Sequence, residues 1–404
     1  NGKQKEKKYQ DCRRMKNKNM KKEDEIKTVV PTLRFPEFIT GKYWYISKIK
    51  DIYKITRGLV LAVTLVKETK DDIFIYPVYS SQTKNGGLVG YYKDYLYENA
   101  ITWTTDGANA GDVNYRNGKF YCTNVCGVLL NQKGFSNKCM AEIINSVTRN
   151  YVSYVGNPKL MNGVMGDIII SVPPTIEEQQ KIADCLSSLD ELIEATIQKV
   201  ETLKEHKKGL MQRLFPAEGN NLPDLRFPEF KGAEEWKGYK LKSLCEIGNG
   251  KDYKHLGSGN IPLYGSGGYM TSVDDFLYDG ESVCIGRKGT IDKPIFLTGK
   301  FWTVDTLFYT HSFHNCLPKF LYLIFQQINW YKYNEAGGVP SLSKTTIGEI
   351  NVFVPVGKKG ELKEQQKITD CLFSLDELIE ATSRKVEILK EHKKGLMQQL
   401  FPKI

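Results

Sequence analysis

The stretch LDELIEAT occurs at residues 189–196 and again, unchanged, at 375–382, and EHKKGLMQ follows each copy at the same distance. In the wider window, 178–216 aligns with 364–402 at an offset of 186, and 33 of 39 positions are identical. Apolar residues recur there in alternating steps of four and three: Ile182, Leu186, Leu189, Ile193, Val200, Leu203, Leu210 and Leu214, with Thr196 and Lys207 filling two places of the series. The second copy repeats it through Ile368, Leu372, Leu375, Ile379, Val386, Leu389, Leu396 and Leu400. Such a heptad seam predicts two long helices, each needing a partner helix to cover the seam, and the obvious partner is the other copy. Thr175 followed by Glu178 predicts a capping box just after Pro173 and Pro174, and Pro216 and Pro402 stop the two copies. At ~1.5 Å per residue, a helix of roughly 38 residues is about 57 Å long.

A second pair of repeats opens each half. PTLRFPEF (31–38) returns as PDLRFPEF (223–230) at an offset of 192, where Trp44 also matches Trp236, Ile49 matches Leu241 and Gly58 matches Gly250. Between opening and closing repeats only short islands agree: IYPVYSS beside NIPLYGS, GKFYCTN (118–124) beside GKFWTVD (299–305), and NPKLMNGVMGDIIISVP beside VPSLSKTTIGEINVFVP. The chain is therefore a tandem repeat with two alike scaffolds and two unlike globules. Short β-rich runs such as IFIYPVY, GDIIISV, SVCIGR and EINVFV, broken by Gly, Asn and Asp turns, and the helical LPKFLYLIFQQI predict an α+β globule of about 130 residues in each half. The longest apolar run, GLVLAVTLV (58–66), falls short of the roughly 20 residues of a membrane span and is expected to be a buried strand.

Composition narrows the class. With 41% hydrophobic and 26% charged residues, 404 residues suffice for more than one globular core. Nine cysteines without a repeated CxxC pair fit reduced thiols in a cytoplasm, and the lysine-rich N-terminus lacks the apolar core of a signal peptide. The chain opens on Asn rather than Met, Met20 offers itself as a start, and residues 1–28 are expected to be a mobile tail. The net charge is +10, but residues 1–30 hold eleven Lys/Arg and five Asp/Glu, which leaves +4 for the rest. A basic total is thus weak evidence for nucleic acid, and organisation has to carry the inference.

If the second helix folds back antiparallel on the first, its C-terminus returns beside the first globule and a pseudo-two-fold axis relates the halves. Two-fold arrangements suit duplex DNA, whose grooves repeat every ~34 to 36 Å, and unlike globules imply two unlike short sequences separated by unread base pairs. The LRFPEF opening with its Trp, the GKFW island, the EEQQKI and KEQQKI helix starts and the duplicated GLMQ(R/Q)LFP ending resemble the specificity (S) subunits of type I restriction-modification systems, over about residues 31–402. The resemblance implies an α+β fold of two α/β target-recognition domains separated by two long antiparallel coiled-coil helices with a pseudo-two-fold internal repeat. Laid on this chain it implies a charged tail at 1–28, target-recognition domains at 29–173 and 217–360, and helical spacers at 174–216 and 361–404. It implies double-stranded DNA and two methyltransferase subunits as partners, restriction subunits reached through these, and no membrane. S-adenosylmethionine, ATP and Mg are then expected only in the partner subunits, with no cofactor, no metal and no catalytic residue in this chain. The tail and the GKKG insertion (357–360) depart from the family pattern.

The nearest stretches to an Asn/Asp-Pro-Pro-Tyr/Phe methyltransferase motif are GNPKL and VPPTI, and neither qualifies. PDLRFPEFK mimics a nuclease pattern, but the first copy lacks both Asp224 and Lys231, so it reads as a repeated domain start. There is no GxxxxGK[ST] loop, and YGSGGYM does not continue as GxGxxG. His311, His314 and Cys316 in HSFHNC lack a second cluster to complete four zinc ligands, and Cys122 and Cys126 read as buried thiols.

For base reading, counting back from the GKF islands at an offset of 181 sets Asp106 of TTDGANAG opposite Arg287 of GRKGTID. Arg suits guanine O6/N7 and Asp accepts from cytosine N4. Both also sit in ordinary turn dipeptides. Further candidates are Ser80, Ser81, Lys84, Asn85, Asn109 and Arg116 in the first globule, and Ser266, Tyr269, Lys288, Ser341, Ser343 and Lys344 in the second, the lysines suiting phosphates better than bases. Two rival readings remain open on these residues: a self-sufficient methyltransferase or nuclease of unusual motif, and a coiled-coil protein scaffold without DNA binding.

Overall fold

Each repeated segment forms one uninterrupted helix, Ile176–Leu214 and Lys363–Leu400. The structure is a computed structural model that describes residues 28–81, 85–217, 219–357 and 362–404; Lys84, the tail up to residue 27 and three residues of the GKKG insertion lie outside the described residues. Two units emerge from the contacts: the first runs up to Ala195 and includes Val386–Ile404, and the second is Thr196–Lys385. Each unit thus combines one globule with the start of one long helix and the end of the other.

Inside the first unit the two helix segments run antiparallel. Ile182 and Leu186 share a core cluster with Leu396, Met397 and Leu400, while one turn on, Asp190 Oδ1 accepts from Lys393 Nζ at 2.7 Å. Advancing along one helix means retreating along the other. The second unit repeats the arrangement: Ile368 and Leu372 cluster with Leu210, Met211 and Leu214, and Lys207 Nζ lies 2.6 Å from Asp376 Oδ1. The seam is an antiparallel coiled coil of two like copies. Of its residues, Ile182, Leu186, Val200, Leu214, Ile368, Leu372, Val386 and Leu400 are buried, and Leu189, Ile193, Leu203, Leu210, Leu375, Ile379, Leu389 and Leu396 are half-buried.

The order of opening and closing repeats, the same in both halves, has a physical cause. In the first unit Glu178 is 1% exposed, and its carboxylate takes Arg34 Nε and Nη2, both at 2.7 Å, and Trp44 Nε1 at 2.9 Å. In the second, Glu364 takes Arg226 Nε and Nη2, both at 2.7 Å, and Trp236 Nε1 at 3.4 Å. The following Gln is buried too: Gln179 Nε2 donates to Pro173 O and Gln365 Nε2 to Pro355 O. LRFPEF, its Trp and EQQ are one clamp that fixes where a globule meets its helix. The far helix end is tied to the same strip, with Leu33 N donating to Gln399 O at 3.0 Å and Leu225 N to Arg213 O at 2.8 Å.

The expected capping box is made only in half. Glu178 N donates to Thr175 Oγ1 at 3.2 Å, but the Glu178 carboxylate goes to Arg34 and Trp44, because a buried carboxylate gains more from a bidentate guanidinium than from one backbone N–H.

In the first globule the strands are β1 (Thr28–Val29), β2 (Trp44–Lys48), β3 (Lys54–Arg57), β4 (Tyr76–Tyr79), β5 (Leu88–Tyr92), β6 (Tyr97–Thr104), β7 (Val113–Cys122), β8 (Cys126–Leu130) and β9 (Ile169–Val172). Six form one sheet in the order β3-β8-β6-β7-β4-β5, and β1-β2-β9 form a small sheet beside the long helix. Helix Lys138–Thr148 is capped by Asn137 and buries Cys139, Met140, Ile143 and Ile144 in the core around Trp44 and Trp103. The second globule has β10 (Lys237–Lys240), β11 (Glu246–Asn249), β12 (Ser258–Gly265), β13 (Gly268–Val273), β14 (Tyr278–Asp279), β15 (Ser282–Gly286), β16 (Ile295–Leu297), β17 (Lys300–Thr303), β18 (Leu307–His311) and β19 (Asn351–Val354). Its sheets, β11-β18-β15-β16 and β13-β12-β17-β14, reproduce the first topology with the long β6 broken into β14 and β15 and the long β7 into β16 and β17, and β10 pairs with β19.

GLVLAVTLV is not a buried strand. Gly58 is buried, but Leu59, Val60, Val63 and Leu65 are exposed, and only Val63–Leu65 forms a single 3-10 turn. The β3–β8 pairing runs out at Arg57 opposite Gly127, with Cys126 the first residue of β8, and after Gly58 N on Cys126 O the chain leaves the sheet. Among the described residues no helix is long and apolar enough to cross a membrane.

Candidate nucleic-acid interface

The island after each GKF forms the hub of its globule's loop end. In the first, the turn Cys122–Cys126 is closed by Cys126 N on Thr123 O at 2.9 Å, and three loop stems attach to it. Gly58 N donates to Cys126 O and Leu59 N to Cys122 O; Thr123 N donates to Tyr79 O; Thr105 N donates to Val125 O. In the second, the turn Thr303–Leu307 receives Gly250 N on Leu307 O and Lys251 N on Thr303 O, gives Val304 N to Tyr264 O, and takes Arg287 N on Thr306 O. Gly58 and Gly250 are required by this closeness: a Cβ would stand 2.3 Å from Cys122 O and Thr123 O in one globule and 1.9 Å from Val304 O in the other.

The hub also corrects the alignment of the two globules. Thr104 pairs with Cys126 and Gly286 with Leu307, so Arg287 follows its strand as Thr105 does. Leu160 N donates to Thr105 O, and Leu342 N to Arg287 O, both at 2.9 Å. Asp106 bridges to Lys159, and Lys288 to Ser341. The counterpart of Asp106 is therefore Lys288, not Arg287. Thr104 lies 14 positions before Gly118, whereas Gly286 lies 13 before Gly299, and that single residue slips the count. In the corrected register the equivalent positions still carry opposite charges, Asp106 in the first globule and Lys288 in the second. Thr105 is buried, its one hydroxyl proton within reach of Asp106 Oδ2 at 2.7 Å and Val125 O at 3.0 Å; Arg287 in its place is exposed, with Nη1 3.4 Å from Asp305 O.

Around the first hub, Ser80 Oγ accepts from Thr123 Oγ1 at 2.9 Å, and Asn109 Nδ2 reaches Ser81 O at 3.4 Å. Arg116 stacks its guanidinium 3.7 Å over the Tyr79 ring and donates to Thr102 Oγ1 and Gly86 O, next to Asn85, which holds a positive φ of 51°. Burial draws the Arg116 pKa down. Ser80, Asn109 and Arg116 line a polar cavity of about 220 Å³ with Asp112, Asn114, Asn145 and Arg149. Lys84 lies outside the described residues. Around the second hub, Ser266 is within 3.2 Å of where a Gly289 Cβ would stand, and Lys288 meets Ser341. Tyr269 sits on the β12–β13 hairpin with its hydroxyl 3.0 Å from Ser272 Oγ. Ser343 caps the short helix Lys344–Glu349 by accepting Thr346 N, so its hydroxyl is engaged by the backbone and Lys344 starts that helix.

Lys159 went unnamed from the sequence although its counterpart Ser341 was named; the NPKL and VPSL islands were the available signal. The two loops that leave the hub after Gly58 and Gly250 were missed too, and the matched glycines marked them. Cys122 and Cys126 are buried thiols, with burial pushing Cys126 up to about 11. HSFHNC is a turn with Ser312 and Asn315 at positive φ and Cys316 buried. Among the described residues no group of three His, Cys, Asp or Glu stands ready to hold a metal ion.

Comparison with known proteins places this arrangement. The family model described as the type I restriction modification DNA specificity domain matches twice, at residues 41–205 and 233–391. A Mycoplasma pneumoniae protein with a provisional type I specificity-subunit designation is 28% identical over 378 residues, covering 88% of this chain and 96% of that protein. The type I restriction enzyme MjaVIII specificity subunit of Methanocaldococcus jannaschii is 25% identical over 432 residues, covering 91% and 93%. In fold, the chain is similar to the crystal structure of a type I restriction-modification S subunit from M. genitalium, with a TM-score of 0.65 at 17% identity over 93% of this chain and 100% of that one.

Proposed function

The chain belongs to the type I restriction-modification specificity-subunit family, and from that premise we propose that it is the non-catalytic, sequence-reading subunit of a methyltransferase–endonuclease complex. It recognises a bipartite, asymmetric site on double-stranded DNA. The observation that carries this reading is the pair of matched hubs bearing unlike side chains: Thr105 and Asp106 in one, Arg287 and Lys288 in the other, on the same backbone framework. A common frame with different chemistry is what two unlike half-sequences demand.

In this reading the target-recognition domains are 29–173 and 217–360, and the helical spacers 174–216 and 361–404 set the gap between half-sequences. The outward faces of the spacers, alike in both copies, dock two methyltransferase subunits, and restriction subunits join through these. S-adenosylmethionine, ATP and Mg act in the partners, and the complex works in the cytoplasm. Ser80, Ser81, Lys84, Asn85, Asp106, Asn109 and Arg116 serve the first half-sequence; Ser266, Tyr269, Arg287, Lys288, Ser341, Ser343 and Lys344 serve the second. Arg287 is the strongest base-reading candidate, since an exposed guanidinium can take guanine O6 and N7 together.

The deciding experiment is co-expression with the neighbouring methyltransferase gene and genome-wide mapping of methylated adenines. A motif of two unlike parts separated by unspecified bases is the expected result. Methyl transfer by the purified chain alone, or no sequence-specific methylation in the presence of an active partner, overturns the reading.

A further inference from the structure

Between Arg57 and Lys67 the first globule carries nine residues, GLVLAVTLV, without a charge and with one hydroxyl. They leave the hub at Leu59, whose N–H is held by Cys122 O at 3.1 Å, and return at Lys67, paired with Tyr91. Leu59 is 56% exposed, Val60 78%, Val63 86% and Leu65 49%. Single exposed aliphatics are ordinary on protein surfaces, but four within seven residues form a patch that needs an occupant. A second apolar protrusion is Val155, 93% exposed, in the hairpin closed by Ser153 and Lys159, and Lys159 bridges to Asp106 beside the hub.

In the second globule the loop from the same hub position reads Lys251, Asp252, Tyr253, Lys254, His255. Tyr253 and Leu256 turn inward to the cluster of Trp302, and Trp302 Nε1 donates to Lys251 O. Its exposed side chains are polar. One loop position is aliphatic in one globule and polar in the other.

We propose that the Leu59–Leu65 loop reads thymine by its C5-methyl group in the major groove of the half-sequence bound by the first globule. This rests on the DNA-reading function above. The loop has no cation to meet a phosphate, so its affinity has to come from an apolar partner, and the thymine methyl is the apolar feature that major-groove base edges display. Insertion between base pairs is the other apolar mode, made from the minor groove by wedges such as Phe, Leu, Ile, Met or Pro, and the leucines here, Leu59 and Leu65, are the less exposed of the four. The two most exposed residues here are valines, short and branched, which lie flat against a methyl group. Continuity with the hub that positions Ser80 and Asp106 favours DNA over a protein partner as the occupant.

The test uses the complete chain assembled with its methyltransferase partner and a duplex carrying the mapped site, with thymine replaced by uracil in one half-sequence at a time. Uracil keeps every hydrogen bond and loses only the methyl. Affinity is expected to fall about fourfold per contacted methyl in one half-sequence only, and the double variant Val60→Ser/Val63→Ser is expected to bind both duplexes equally. Both positions are exposed, so the variant keeps the fold. Equal binding of thymine and uracil duplexes by the unsubstituted complex overturns the proposal, as does a variant that still discriminates. Failure of the variant to assemble with the methyltransferase assigns the loop to a protein contact instead. Absence of any site-specific binding by the unsubstituted complex would strike the DNA-reading function itself.

Discussion

Arg34 and Glu178, 144 residues apart, meet through two parallel hydrogen bonds of 2.7 Å, with the Glu178 carboxylate 1% exposed. Removing the guanidinium leaves a buried carboxylate with only Trp44 Nε1. Arg34→Ala is expected to destabilise the first unit by about 3 to 5 kcal/mol, and Arg34→Lys to rescue little, because an ammonium cannot make the fork. Peptide-resolved hydrogen exchange reads this unit by unit: protection should fall in peptides of the first globule and the Val386–Ile404 segment, and hold in the second globule. Arg226→Ala should give the converse pattern. Unchanged protection in both variants would mean that the clamp does not hold globule to helix.

The helix pairing predicts a pH dependence. Burial by itself raises the Asp190 pKa, but hydrogen bonds and charge from Lys138 and Lys393 outweigh it and leave the carboxyl below its ordinary value. A carboxylate with a depressed folded-state pKa adds stability that is present above the unfolded value of about 4 and is lost as the pH falls through the folded value. Asp190→Asn should therefore melt below the unsubstituted protein at neutral pH, and the gap in Tm should close in acid. A gap that stays constant from pH 7 down to about pH 3 would assign the effect to packing rather than to the ion pair.

Much of this architecture was legible because it is written in periodicity and identity. The seam from Ile182 to Leu214 has one reading as a helix, and its second copy names the partner. What the sequence hid is long-range pairing. Glu178 looks like half of a capping box until Arg34 arrives from 144 residues away. GLVLAVTLV has the composition of a core strand, and only the ending of β3 at Arg57 puts it in solvent. Asp106 and Arg287 fell opposite each other by counting from an island, and one residue fewer in the second globule moved the true partner to Lys288. Islands fix a strand, but a loop's register depends on hydrogen bonds that no spacing reports.

Gly250 offers a test of the hub. A methyl group there would stand 1.9 Å from Val304 O and 2.7 Å from Thr303 O, both backbone atoms of the turn. Gly250→Ala must push the Lys251–Leu256 loop away from Thr303–Leu307, and recognition of the second half-sequence should weaken about tenfold or more, the order of one lost bidentate base contact. Methyltransferase assembly should persist, since the long helices are untouched. Gly58→Ala should do the same to the first half-sequence. Methylation assays on sites with one half randomised separate the two, and equal loss for both halves would refute independent hubs.

The corrected register gives neighbouring residues separate duties that can be told apart. Arg287 leaves the strand where Thr105 is buried in the other globule, and among the described residues its guanidinium meets no carboxylate, Nη1 lying 3.4 Å from the backbone Asp305 O. Lys288 follows it as a point charge beside Ser341. If Arg287 reads a guanine, Arg287→Ala should relax the requirement at one base pair of the second half-sequence, by about 1 to 3 kcal/mol, and leave the first untouched. If Lys288 meets a phosphate, Lys288→Ala should weaken binding to matched and mismatched duplexes alike and lower the slope of log K against log salt by about 0.9. Competition binding of the assembled complex at several salt concentrations measures both. A uniform loss for Arg287→Ala, or a base-selective one for Lys288→Ala, would exchange their assignments, and no change for either would move base reading away from this strand end.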